Sequence, residues 1–302
     1  MNRHSGDGHL RIDQRLAWLA FNAFDNRSPY RSVDPGIVLA DFQCPDAVRN
    51  LEAIPGTPSP SRTVCDLFWM RAPWARMARE LGPLRIADLG CGSGEYGVKY
   101  SQWSGAAIAR YVGLDLQRHP RWSELTRAYP FMDFRVGDME RLDELIPPDT
   151  NVIVSQSALE HVRDDLACVA RLHAFASRVR HPLWQLHLVP SQACLPLYLW
   201  HGYRQYTPRT LSEATQVFAG SRRWVVRLGG AACNRLHWKF VTWPLMRRQG
   251  DMRNRSPESY RAALASAIAQ DMTSPQASPS FYAIVIAPPS EGSSDVDCWH
   301  RQ

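Results

Sequence analysis

The chain of 302 residues is long enough to bury one sizeable core and short for two independent domains of ordinary size. Its formal net charge of +6 rests almost wholly on arginine, with Lys99 and Lys239 the only lysines, and the arginines are scattered among acids, which disfavours a nucleic-acid face. Seven cysteines stand far apart with no C-x-x-C pair and no histidine at ligand spacing, so no metal site is readable and reduced thiols in a cytoplasm are expected.

The first apolar run, "LAWLAFNAF" at 16–24, is too short to span a bilayer and has no cleavage site after it. Ile12, Leu16, Leu19 and Ala23 recur at helical spacing, which predicts an amphipathic N-terminal helix over 10–24 able to dock on the main domain. "IPGTPSPSRT" at 54–63 reads as a linker, so 1–62 forms a helical extension ahead of the main domain. "APWARMAREL" at 72–81 is a helix stopped by Gly82-Pro83. Strands are predicted at "RIADLG" (85), "RYVGLD" (110), "MDFRVGD" (132), "NVIVS" (151), "WQLHLV" (184), "RWVVRL" (223) and "FYAIVIA" (281), with helical patterns between the earlier ones. That alternation marks βαβ units, a largely parallel sheet covered by helices on both faces. A main domain over 63–288 is expected, with 229–279 inserted between the last two strands as a lid and 289–302 as a flexible tail.

"IADLGCGSGEYG" at 86–97 carries two fingerprints. Gly92, Gly94 and Gly97 fit the G-x-G-x-x-G of a dinucleotide turn, while Asp88 followed by Gly90, Gly92 and Gly94 suits another nucleoside cofactor. Asp115 in "VGLD", after the second strand, supplies an acceptor for ribose hydroxyls and fits either. Two features separate them. Asp88 would repel a pyrophosphate but attract an α-amino group, and Asp138 in "VGDM" ends the third strand, where an adenine amine would lie.

With these motifs, and with "VIVSQSALEHV" and "YTPRTL" following in order, the sequence resembles the class I S-adenosylmethionine-dependent methyltransferases from about Leu67 to Ala287. The resemblance implies a seven-stranded Rossmann-like α/β sheet of order 3-2-1-4-5-7-6, the last strand antiparallel. It also implies one bound S-adenosylmethionine. Gly90, Cys91, Gly92 and Gly94 would line the methionine moiety with Asp88 near its amino end. Asp115 with Leu116 would hold the ribose, Asp138 with Met139 would read the adenine, and Ser155 would close the site from the fourth strand.

Base N-methylating members carry an Asn/Asp-Pro-Pro-aromatic run after the fourth strand, where this chain reads "SQSALEHV" without proline. The resemblance therefore favours a small acceptor, a saccharide or related metabolite methylated on a hydroxyl. His161 is the first candidate for its base, or else a histidine that packs at a helix start. His201, Tyr203 and Tyr206 in "WHGYRQYTPRTL" would contact the acceptor, or merely pack their loop. An NAD(P)-dependent oxidoreductase would leave Asp138 without a role, and a non-catalytic binding subunit would not need these acids intact.

Overall fold

The computed structural model describes residues 10–27, 32–198, 201–273 and 278–289. Among the described residues eight strands form one sheet: β1 (Ile37–Asp41), β2 (Leu84–Leu89), β3 (Ile108–Asp115), β4 (Met132–Val136), β5 (Val152–Gln156), β6 (Trp184–Pro190), β7 (Arg222–Leu228) and β8 (Phe281–Ala287). Their order is β1-β7-β8-β6-β5-β2-β3-β4. All pairs are parallel except those of β8, which runs against β6 and β7. Set aside β1, and the order expected from the resemblance is present strand for strand.

Strands buried on both faces need apolar residues of both parities. Ile86, Val152, Val154, Leu186 and Val226 pack into one core layer. Their neighbours in sequence, Ala87, Ile153 and Val225, pack into the other.

The helices of two turns or more are α1 (Ile12–Arg27), α2 (Pro60–Met70), α3 (Trp74–Leu81), α4 (Glu95–Trp103), α5 (Trp122–Ala128), α6 (Asp165–Arg178), α7 (Pro208–Thr215), α8 (Ala231–His237) and α9 (Pro257–Thr273). Residues of α2, α3, α4, α8 and α9 lie in the first layer. Those of α6 and α7 lie in the second.

Three expectations for the N-terminal part are corrected. First, β1 joins the sheet edge by pairing with β7, a short "IVLA" run that carried too little pattern to be recognised. Second, the supposed linker turns into α2 at Pro60, because Ser59 caps the helix by accepting from the Arg62 amide and Pro60 occupies its first turn. Third, α1 docks through polar residues and not through its apolar stripe, of which Ile12 is 77% and Leu16 62% exposed while Leu19 and Ala23 are half-buried. The buried face is Trp18, Asn22, Asp25 and Asn26. Polar partners fix that rotation: the Trp18 indole donates to Gly202 O (2.9 Å), and Asn22 Oδ1 accepts from the Gln205 amide (3.1 Å).

The stretch 229–279 leaves the carboxyl end of β7, and its helices α8 and α9 pack against one another and onto α2. Of the expected tail, 290–302 lies outside the described residues. The six cysteines among the described residues are unpaired and buried. No helix among the described residues is long and apolar enough to cross a membrane.

Candidate active site

At the carboxyl ends of β2, β3, β4 and β5 the chain leaves a cleft of about 480 Å³, lined by Gly90, Asp115, Asp138, Met139, Ala158 and His161 among others. This is where an open parallel sheet binds ligands, because four adjacent strands end there in loops. Gly90 turns off β2 with φ +72°, and a Cβ at this position would stand 2.6 Å from Ala158 Cβ. The loops after β2 and β5 therefore meet only because residue 90 has no side chain. The amides of Gly90 and Cys91 both donate to Leu114 O (2.8 and 3.0 Å), which fastens the loop to β3.

Asp115 ends β3. Its Oδ2 accepts from the Gly92 amide (2.9 Å) and its Oδ1 from the Gln117 amide (3.3 Å). A carboxylate has about four acceptor sites, so these bonds orient Asp115 and still leave capacity for a diol. Leu116, Met139, Leu142 and Leu145 add an apolar wall on the same side, and Asp138 stands beside Met139. Carboxylates, a bare glycine turn and an apolar wall together suit a cationic nucleoside, so the residues present fit S-adenosylmethionine.

Other expected residues are turned elsewhere. Asp88 is 2% exposed and accepts from the Tyr111 hydroxyl (2.7 Å), beneath the glycine loop and outside the cleft lining. Burial, with the Asp115 charge adding to it and the Tyr111 bond opposing it, lifts its carboxyl to about 7. The Cys91 thiol is likewise pushed up by burial, with Asp88 and Asp115 contributing. Gly92 and Gly94 hold positive φ in the loop, yet neither lines the cleft.

Ser155 is fully buried and shares a hydrogen bond with His187 Nδ1 (2.9 Å), because its parity on β5 sends it into the core. Burial holds the His187 imidazole down at about 4. Tyr206 is also in the core, its hydroxyl donating to Asp165 Oδ2 (2.9 Å), so the acceptor contact expected of it is not available.

The open end of the cleft is built from two segments. After β5, Ser157 takes a left-handed conformation (φ 57°) and a 3-10 turn, Leu159–His161, follows. Such a backbone is costly for a non-glycine residue and marks a place the surroundings over-determine. The second segment, 201–206, brings His201 against His161, with ring centroids 4.7 Å apart, while Tyr203 reaches the cleft itself. Glu160, wholly buried, lies against both imidazoles, its Oε1 at 3.9 Å from His161 Nε2 and 3.7 Å from His201 Nε2. Sequence reasoning passed over Glu160, although an acid directly before the candidate base in an otherwise apolar run was the available signal.

Residues 87–177 match a family model described as a methyltransferase domain. No curated protein matches the chain. Among solved structures, the chain is similar to a 1,6-didemethyltoxoflavin-N1-methyltransferase of Burkholderia thailandensis bound to 1,6-didemethyltoxoflavin and S-adenosylhomocysteine. The identity is 16%, the match covers 87% of this chain and 98% of that one, and the TM-score is 0.45. It is also similar to a SAM-dependent methyltransferase of Archaeoglobus fulgidus, at 16% identity over 72% of this chain and 94% of that one, with a TM-score of 0.42. The family match places a methyltransferase domain at residues 87–177, and the strand order and the glycine turn with acids at successive strand ends are those expected of a class I S-adenosylmethionine-dependent fold.

Proposed function

We propose that this chain is a class I S-adenosylmethionine-dependent methyltransferase acting on a hydroxyl oxygen of a small polar acceptor, a saccharide or related metabolite. The observation that carries the reading is His161, which lines the open end of the cleft and lies against the buried Glu160 and the neighbouring His201. An oxygen acceptor must lose its proton as it is methylated, and a cluster of basic groups at the acceptor end serves that need. Arg163, Ser157, Asp138 and Tyr203 make the cleft polar enough for a hydroxylated molecule.

In this reading the Gly90 turn faces the methionine part of the cofactor, Asp115 holds the ribose, and Asp138 with Met139 meets the adenine. The cofactor supplies an electrophilic methyl group on a sulfonium, and the chain's own task is alignment within a shielded pocket.

Two outcomes test the assignment. Asp115→Ala is expected to weaken S-adenosylhomocysteine binding by about ten- to a hundredfold in calorimetric titration, the worth of a hydrogen bond to a charged group. His161→Ala is expected to lower turnover by about 10²-fold or more while leaving that affinity unchanged. The acceptor class is tested by incubating the enzyme with labelled S-adenosylmethionine and fractionated metabolites, then identifying the labelled product. Labelled amines or thiols in place of ethers would overturn the oxygen reading.

A further inference from the structure

We propose that Glu160, His161 and His201 form a binding site for one divalent first-row transition-metal ion of zinc or manganese type at the acceptor end of the cleft. No sequence motif announced it, because the ligands come from two separate segments that only the fold brings together.

The two segments are fastened to each other by the residues around the ligands. The Tyr203 amide donates to Glu160 O (2.6 Å), and the Trp18 indole of α1 donates to Gly202 O (2.9 Å). A Cβ on Gly202 would stand 2.6 Å from Glu160 O, so glycine is what lets the loop carrying His201 lie directly on the turn carrying Glu160. One ligand atom from each of the three side chains lies within 4.8 Å of the other two. Three donors on one ion at about 2.0–2.2 Å stand about 3.0–3.5 Å apart, so a closing movement of about an ångström completes the site. The imidazoles, roughly one-third exposed, can make it while Glu160 stays fixed.

Glu160 supplies the independent observation. Its side chain is wholly buried, its Oε1 accepts from the Ser157 hydroxyl, and its Oε2 is buried without a hydrogen-bond partner. Among the described residues, the cationic candidates within 4.0 Å of this carboxylate are the two imidazoles. An ionised carboxylate away from water is costly unless it is paired or coordinates a metal. Each imidazole offers a ring nitrogen of the kind that coordinates metals. A dication at the centre satisfies the carboxylate and both rings together.

The donor set fixes the class of ion. One oxygen and two imidazole nitrogens suit borderline metals such as zinc, cobalt or ferrous iron and admit the harder manganese, whereas calcium and magnesium favour all-oxygen sites and thiolate sites select softer ions. Three protein ligands leave open positions, and because His161 lines the cleft these face the acceptor. The catalytic consequence rests on the hydroxyl-acceptor reading. An acceptor hydroxyl coordinated there is acidified and releases its proton to solvent, as metal-bound water does. His161 then serves as a ligand in place of a proton carrier.

The test measures binding apart from turnover. Protein dialysed against a chelator is equilibrated with Zn²⁺, and in a separate series with Mn²⁺, and bound metal is counted by elemental analysis and titration. One equivalent is expected. His201→Ala, at a position about one-third exposed, is expected to fold and to bind at least about a hundredfold more weakly, since even outer-shell changes cost 10–100-fold. Glu160→Gln is expected to do the same, and His181→Ala, whose ring lies against the Pro148 and Pro182 carbonyls, is expected to bind like the parent.

Absence of stoichiometric metal in the parent, or equal affinity in folded His201→Ala, would overturn the site. The two readings fail separately. Oxygen-methylated product formed at full rate by metal-free enzyme sinks the metal role and spares the acceptor. One bound metal alongside an amine-methylated product does the reverse.

Discussion

Asp88→Asn is expected to stabilise the protein at pH 8 by on the order of 4 kcal/mol, and by less than half as much at pH 5. The carboxyl's ordinary value is 3.8, and in the folded chain it is lifted to about 7, burial being the main cause. Between those values the folded protein retains a proton that the unfolded chain has released. Stability therefore falls as pH rises from about 4 through about 7, and the loss is complete above that range. Each pH unit of displacement corresponds to about 1.4 kcal/mol, which sets the size of the effect. Asparagine keeps an oxygen to accept from the Tyr111 hydroxyl and carries no charge, so the bond survives and the penalty does not. Thermal melts of both proteins at pH 5 and pH 8 decide it. A variant no more stable than the parent at pH 8 would show that Asp88 is already neutral or compensated there.

That residue also shows where sequence reasoning reached its limit. The alternation of strands and helices marked βαβ units and a largely parallel sheet, and the resemblance carried by the motifs supplied the order of its seven strands. Asp115 and Asp138 were legible as cleft residues, since a strand end points to the ligand edge whichever face its side chain takes. Asp88 and Ser155 lie inside strands, where parity decides direction. Both faces of this sheet are buried, so no alternation of polar and apolar residues marks which way they turn.

The rotation of α1 was not legible for a related reason. Helical periodicity finds an apolar face, but here the indole of Trp18, the amide of Asn22 and the carboxylate of Asp25 found partners on the 202–205 segment, and those bonds set the rotation. Glu160 and His201 could not be joined from spacing, since nothing local to either says that the segment after β6 returns to the turn after β5.

The same returning segment yields the last expectation: Arg204→Met should destabilise the protein by about 3–5 kcal/mol, the cost of breaking a buried ion pair from one side. Arg204 is 6% exposed and bridges two carboxylates, its Nε at 3.3 Å from Asp25 Oδ2 of α1 and its NH1 at 3.1 Å from Asp165 Oδ2 of α6. Burial raises the Asp165 carboxyl, and the Arg204 charge works against that rise. Methionine fills similar space but leaves both acids in the interior without their counter-charge. At about 2–4 °C per kcal/mol for a domain of this size, the melting temperature should drop by about 10 °C.

Adding Asp25→Asn and Asp165→Asn should recover most of that loss, because neutral amides need no cation. If the triple variant stays as unstable as Arg204→Met, packing of the arginine stem and not its charge is responsible. The residue also anchors the segment that carries His201 and Tyr203 to the cleft, so the single variant should raise the acceptor KM more than the KM for S-adenosylmethionine. A matching rise in both would mean that the whole sheet edge has loosened and that Arg204 has no selective hold on the acceptor side.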